Sequence, residues 1–462
     1  MERRHVLALI GFSTAIGMLV GLVAAAFTWA LFSAQNLFLG GLVGYLPPGY
    51  SGENGVLHTF RNPHPLALVL LLPLIFAAAS LFGHNRGLSK IIASFHQGRP
   101  GTLGEKLRYA LGSLAELGAG SPLGREGPMA VLGNWIGDAL GRRFLPEAIR
   151  GHLPFAGMAA GFAAAFHAPV GGALLAVELF YPGLVLEIGS LGPALIGGLA
   201  GFVVYGAFWG YQPLLDLKPL PPHVYHLGFA LLAGALLALI GSLWMLAARQ
   251  VRRRTAKLSF LPRHALLGLA VALFAVFLPQ VTGDGLVWVE LAASPLLPVV
   301  FILQLALARL LLLSIAVGLG GYGTLIGPAL ALGGLFTIAL ARAFPAISPD
   351  AGSAALLGMG ALLAGVVRTP FAALLLVSEM GGYAALPLTL PAVFTAYLLT
   401  WAHAYPEQNL GDRRLAGVPY AGLRCGELPF ELEAIVRDGE RLAPRADEVV
   451  RADDELIPER GG

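Results

Sequence analysis

Cysteine is all but missing from this chain: Cys425 is the only one in 462 residues. A lone thiol excludes an intramolecular disulfide framework and a clustered thiolate metal site, and it leaves the redox compartment open. Charged residues make up only 12% of the sequence, so a charge set between two apolar runs needs a reason. The 11 histidines show no His-x-x-x-His or Glu-x-x-His spacing, and no metal site is expected. There is no Walker loop, the Gly-x-Ser sequences lack the strand-turn-helix surroundings of a serine hydrolase, and no aspartate pair shares an apolar segment. Neither enzyme chemistry nor a cofactor is expected.

What is abundant is apolar sequence. Hydrophobic residues reach 56%, and runs such as Val6 to Leu31, Pro65 to Phe82 and His226 to Met245 are long enough to span a bilayer. The mean hydropathy is +0.73. The chain reads as an all-α polytopic membrane protein in contact with lipid. The first run follows Met-Glu-Arg-Arg-His and continues through Ala24-Ala25-Ala26, so it reads as a retained helix rather than a cleaved signal. Basic blocks at Arg86 to Arg108, Arg142 to Arg150, Arg252 to Lys257 and Arg413-Arg414 mark a cytoplasmic face and not a nucleic-acid patch. They place both termini in the cytoplasm of a plasma (inner) membrane protein, with residues 49–64 and 212–225 as exterior loops.

The sequence also repeats itself. Ala168-Pro169 through Val177-Glu178 is echoed about 200 positions later by Thr369-Pro370 through Ser378-Glu379, and Gly124-Arg125-Glu126-Gly127-Pro128 corresponds to Gly323 through Pro328. Two related halves are expected, 1–210 and 211–421, followed by a short soluble appendage, 422–462. In that appendage the stretch from Glu431, together with Glu448-Val449-Val450 and Glu455-Leu456-Ile457, reads as strands around an Asp438-Gly439 turn. After each Gly/Pro break the apolar segments are short: Met129 to Leu140, Pro154 to Phe166 and Val170 to Phe180 would run roughly 16 to 20 Å as helices. None crosses ~30 Å of hydrocarbon alone. Such half-helices end inside the protein, where free N–H groups and the positive dipole end make an anion cradle near the midplane. A carboxylate tethered there, as Glu126 is, competes with an anion for the site, and its protonation or displacement would open it. The plainer alternative is that Glu126 caps its helix and pairs with Arg125.

These same residues carry a resemblance. Gly124 to Pro128 matches the gating-glutamate motif of the CLC family of chloride channels and proton-coupled chloride exchangers. Gly157 to Gly172 is similar to its Ala-Ala-Phe-Asn-Ala-Pro segment, Gly323 to Pro328 stands where its Gly-x-Phe-x-Pro loop would stand, and Val367 to Ala372 with Glu379-Met380 follows its next helix pair. The resemblance covers roughly 400 residues. It implies an inverted repeat of broken helices, a homodimer and one anion pathway per subunit. Glu126 would be the gate, with Gly124, Arg125, Gly127, Pro128, Thr324, Leu325, Ile326 and Gly327 around the anion; Arg125 would mainly satisfy carbonyls at the break.

Departures from the family pattern shape the functional expectation. The anion-loop serine falls on Arg86, or on Ser89 if the register slips. Leu179 stands where exchangers carry an inner proton-relaying glutamate; Glu178, one step around the helix, and its partner Glu379 suggest a shared structural role. His167 replaces an asparagine and reads as a packing residue. The pore tyrosine has no clear match, since Tyr405 comes early and reads as an interface aromatic, while Asn409 lies nearer the position. A leucine cannot carry protons, so a gated passive chloride channel is favoured, with a proton-coupled exchanger on a non-standard proton route, or another coupled solute carrier, as the alternative. Chloride is the default, and fluoride or nitrate stays open.

Overall fold

In hydrocarbon every backbone N–H and C=O must be satisfied inside the protein, and a run of apolar residues does this most simply as a helix. The computed structural model describes residues 3–53, 55, 64–83, 87–97, 101–410, 415–416, 418–437, 440–451 and 454–458. The first series comprises α1 (Arg3–Gln35), α2 (Pro65–Ala79), α3 (Leu88–Gln97), α4 (Leu103–Gly118), α5 (Glu126–Phe144), α6 (Glu147–Arg150), α7 (Leu153–Phe166), α8 (Pro169–Glu178) and α9 (Ile188–Trp209). The second comprises α10 (Leu227–Thr255), α11 (Phe260–Phe277), α12 (Leu286–Ala293), α13 (Val299–Leu319), α14 (Ile326–Ala343), α15 (Ala351–Val367), α16 (Pro370–Gly381) and α17 (Leu386–Leu399). Among the described residues, seven helical stretches are long and apolar enough to cross a membrane by length and composition.

The repeat is an architecture of broken helices. α5, α7 and α8 recur as α14, α15 and α16. The breaks have the same local cause in both copies: α7 ends at His167 and α15 at Arg368, each left-handed (φ 54° and 67°), and Pro169 and Pro370 then open α8 and α16. A proline cannot continue the preceding helix, but it is well placed at the first position of a new one. α5 is longer than the segment from Met129 to Leu140: it runs 19 residues from Glu126, because Gly127 and Pro128 are tolerated in a first turn. Close crossing needs glycine in both copies. A Cβ on Gly157 of α7 would lie 1.9 Å from the Gly133 carbonyl of α5, and one on Gly333 of α14 would lie 2.1 Å from the Gly358 carbonyl of α15.

The half-helices are tied to each other across the repeat. Glu178, at the end of α8, accepts hydrogen bonds from the N–H groups of Phe371 (3.1 Å) and Ala372 (2.7 Å) in the first turn of α16. Glu379, at the end of α16, accepts from Val170 (3.3 Å) and Gly171 (2.7 Å) in the first turn of α8. Each carboxylate therefore fills the free donors at the other helix's positive end.

After α17 the chain forms a four-stranded antiparallel sheet, β1 (Leu415–Ala416), β2 (Leu432–Arg437), β3 (Glu440–Leu442) and β4 (Glu455–Pro458), in the order β1-β4-β2-β3. Glu448 to Val450 is not a strand; Val449 makes an isolated bridge to Arg424. The expected Asp438-Gly439 turn lies outside the described residues. Tyr420, Phe430, Ile435 and Leu456 form a small core that reaches Ala93 of α3. Arg263 of α11 pairs with Glu427 at 3.0 Å, and Arg252 of α10 donates to the Pro419 carbonyl, so the sheet is docked on the helices.

Two tests follow. Glu178→Ala strands two buried donors and should destabilise by about 1–3 kcal/mol, with Glu379→Ala, half-buried, costing less; thermal unfolding in detergent measures this, and unchanged melting of both variants would remove the cross-capping from the account. In the tail, burial opposes the charge of Asp454, but hydrogen bonds from Arg437 (2.7 and 2.8 Å) and the Arg451 N–H (2.7 Å) outweigh it and hold the carboxyl below its usual value. A carboxyl depressed in the folded state adds stability above its unfolded pKa of about 3.9 and loses it as pH falls through the folded value. Amide protection in β2 should hold at about pH 6 and fall towards pH 3, while Asp454→Asn should lower it already at neutral pH; equal protection throughout would contradict this.

Candidate anion site and vestibule

The two Gly/Pro breaks meet. Gly124 N–H donates to the Thr324 carbonyl (2.9 Å), and Thr324 N–H donates back to Gly124 (3.2 Å), so the loops ahead of α5 and α14 form a two-bond antiparallel bridge. Glu126 opens α5 and is only 1% exposed. Its carboxylate turns to α14, accepting from the Gly327 N–H (2.9 Å) and from the Thr324 hydroxyl. The acid thus occupies the positive end of a half-helix, where free N–H groups and the dipole favour an anion. The glycines leave it room: a Cβ on Gly124 would lie 2.2 Å from the Glu126 carboxylate, and one on Gly127 would meet the Thr324 methyl at 2.3 Å. Pro128 is buried in the first turn of α5, and Ile326 opens α14 with its side chain in the core.

Arg125 differs from expectation. It makes one long contact to a carbonyl, Ala165 (3.4 Å); its charge is matched instead by both oxygens of Glu53, one of them at 3.0 Å. Glu53 also accepts from the Tyr205 hydroxyl (2.7 Å), and the Tyr50 ring lies 4.8 Å from the guanidinium. His167 sits beside this cluster, its Nε2 3.8 Å from Glu53 and its Nδ1 2.8 Å from the Gln212 carbonyl, packed against Tyr205. Glu126 is therefore not Arg125's partner. Glu53 lies in a Pro/Gly-rich loop read from sequence only as exterior, and nothing local to it signals a partner 72 residues away.

Beside the loops opens a cavity of about 200 Å³ whose wall includes Ser89, Thr324, Leu325, Tyr405 and Glu407. Ser89 hydrogen-bonds Glu407; Arg86 lies outside the described residues. Tyr405 corrects the sequence expectation. It is 6% exposed and borders the cavity with its hydroxyl at the Leu325 backbone, whereas Asn409 is not in the wall. The spacing misled because α17 ends at Leu399 and the chain turns inward, Ala404 N–H bonding the Val366 carbonyl (2.8 Å). Extended residues cover about 3.3 Å each against 1.5 Å in a helix, so few are needed to reach the site. Tyr109, another residue the sequence did not mark, donates to the Gly323 carbonyl at 3.2 Å. Leu179 is fully buried, and its carbonyl accepts from Gln408 Nε2 (2.9 Å). No cluster of three or more metal-ligating side chains occurs among the described residues.

The chain as a whole is similar to known proteins. The family model for the voltage gated chloride channel matches residues 66–400. The H(+)/Cl(-) exchange transporter ClcA of Citrobacter koseri is 30% identical over 396 residues, covering 81% of both chains. A protein of the same name from Vibrio cholerae is 31% identical over 306 residues, 62% of this chain, which spans 65% of that relative's length. The crystal structure of a slow cyanobacterial Cl-/H+ antiporter superposes with a TM-score of 0.72 at 22% identity, over 87% of this chain and 95% of that one. Most of the length matching one family model, and four fifths of both chains aligning with a 30% identical relative, the protein belongs to the voltage gated chloride channel (CLC) family of anion transport proteins.

Proposed function

We propose that the protein exchanges chloride for protons across the membrane, with Glu126 both closing the anion path and carrying the proton. The observation that carries this reading is the Glu126 carboxylate lying across the start of α14, held by the Gly327 N–H and the Thr324 hydroxyl. Those donors suit a halide equally well, and two negative charges cannot share them in a dry site. Taking up a proton cancels the charge on Glu126, frees the donors and admits the anion; the anion's departure favours the carboxylate's return. Anion entry and proton uptake are thereby linked at one residue. The relatives bearing exchanger names support exchange over the passive channel that the sequence alone favoured. The vestibule adjoins Arg252 in the basic block at the end of α10, which by the positive-inside rule makes it the cytoplasmic entrance. On this reading the protein works as a homodimer with both termini in the cytoplasm.

One observation favours the second reading, a passive channel: buried Leu179 offers no titratable group where a relay would help. The experiment that separates them measures chloride and proton flux together in proteoliposomes under a chloride gradient with the voltage clamped. Exchange predicts uphill proton movement in the wild type, and in Glu126→Gln chloride flux that persists while proton flux falls by about a hundredfold. Chloride flux that never drives protons uphill would establish the channel, and absence of chloride flux from both proteins would end the anion-pore assignment.

A further inference from the structure

If the protein is an exchanger, a proton must reach Glu126 from the cytoplasmic side, and Leu179 cannot pass it. We propose that Glu407 is the acid that takes protons from the inner solution and hands them, through water in the vestibule, towards Glu126. The inference rests on the exchanger reading above, but on different residues.

Three observations place Glu407 for this task. It stands on the short turn Pro406–Asn409, only 4% exposed, in the wall of the same cavity as Thr324, whose hydroxyl bonds Glu126. That cavity, at about 200 Å³, far exceeds the ~10–15 Å³ one water needs, so it has room for a connected water file from Glu407 to Thr324, the partner of Glu126. Finally, one Glu407 oxygen is engaged by Ser89, while Oε2 is buried without a hydrogen-bond partner, leaving a lone pair open to a proton. The other acid in the cavity wall, Glu427, is committed to Arg263 at 3.0 Å and to the Arg424 N–H at 3.2 Å. The turn is also pinned at the leucine: Gln408, next to Glu407, donates to the Leu179 carbonyl. An acid therefore stands one residue from the contact with the leucine whose side chain cannot relay.

The groups that share the cavity wall with Glu407 suit a proton carrier. Arg249 and Arg252 come from α10, Arg263 from α11, Tyr420 and Glu427 from the docked tail, His403 and Tyr405 from the incoming segment and Ser89 from α3, with Arg252 and Ser89 acting on Glu407 directly. Arg252 gives its donors to the carbonyls of Pro419 and Ala421, so it draws on the carboxylate without clamping it. Burial, opposed by its own backbone N–H and by Arg252 and Ser89, raises the carboxyl to about 7. A carboxyl titrating near neutrality gives up and regains a proton with little driving force in either direction, the condition for efficient transfer.

The test uses the full chain in proteoliposomes under a chloride gradient, comparing wild type, Glu407→Gln and Glu407→Asp. Glu407→Gln should keep chloride flux within about twofold while uphill proton flux falls by at least about tenfold. Glu407→Asp should retain proton flux with a shifted pH midpoint. Wild type and Glu407→Gln pumping protons equally would overturn the role of Glu407 and leave the exchanger reading intact. A wild type that pumps no protons would overturn both. Should Glu407→Gln carry neither ion, the aspartate variant decides: a displaced pH midpoint supports the carrier, and a wild-type midpoint overturns it.

Discussion

A helix broken inside hydrocarbon exposes N–H groups that water cannot reach, and everything distinctive in this protein follows from how those donors are filled. Unfilled, each costs several kcal/mol. The solution is reciprocal: α8 ends in Glu178, which serves α16, and α16 ends in Glu379, which serves α8. Glu126 does the same for α14 through Gly327. The three carboxylates share a physical role, and on the proposed reading the third is the one a diffusing anion would replace. The step from structural cap to gate would need no new chemistry, only access.

The scarcity of charge is the other side of this economy. Several buried charges are held in closed groups: Arg125 with Glu53, Tyr205 and Tyr50, and Glu116 with His264 and the Tyr322 N–H (2.7 Å). Such groups contribute little net stability, because desolvation offsets attraction, but losing one member leaves a charge with no answer. They specify how the loops meet more than how strongly they hold. Arg125 matters in this sense: fixed by Glu53, it leaves Glu126, its neighbour, without a competing cation.

Much of this was legible in the sequence, for a local reason. Helix breaks are written in adjacent residues, so Gly124 to Pro128, Pro169 and Pro370 could be read directly, and their recurrence at one spacing exposed the repeat. Glu126 at a half-helix start followed from the same residues. What escaped depends on where the chain returns to. Glu53 looked like loop polarity because its partner is set by the packing of α5 against the segment after α1. Tyr405 and Glu407 escaped because the chain after Leu399 runs inward to the short turn at Pro406–Asn409, a path that hydropathy cannot report. The same holds for the docking of Pro419 to Pro429 against α10 and α11, which makes a soluble appendage part of a membrane vestibule.

The bridge between Gly124 and Thr324 bears on how such a protein moves. Two backbone hydrogen bonds join the halves beside the Glu126 carboxylate. Rocking one half away from the other would part both bonds in a dry interior and leave four polar groups unanswered. The bridge therefore opposes rocking of the frame, and on the exchanger reading passage would fall to what hangs from it. On that reading the protein would be a turnstile set in a fixed wall, not a pair of doors, with its pace set by a side chain and a few waters rather than by domains.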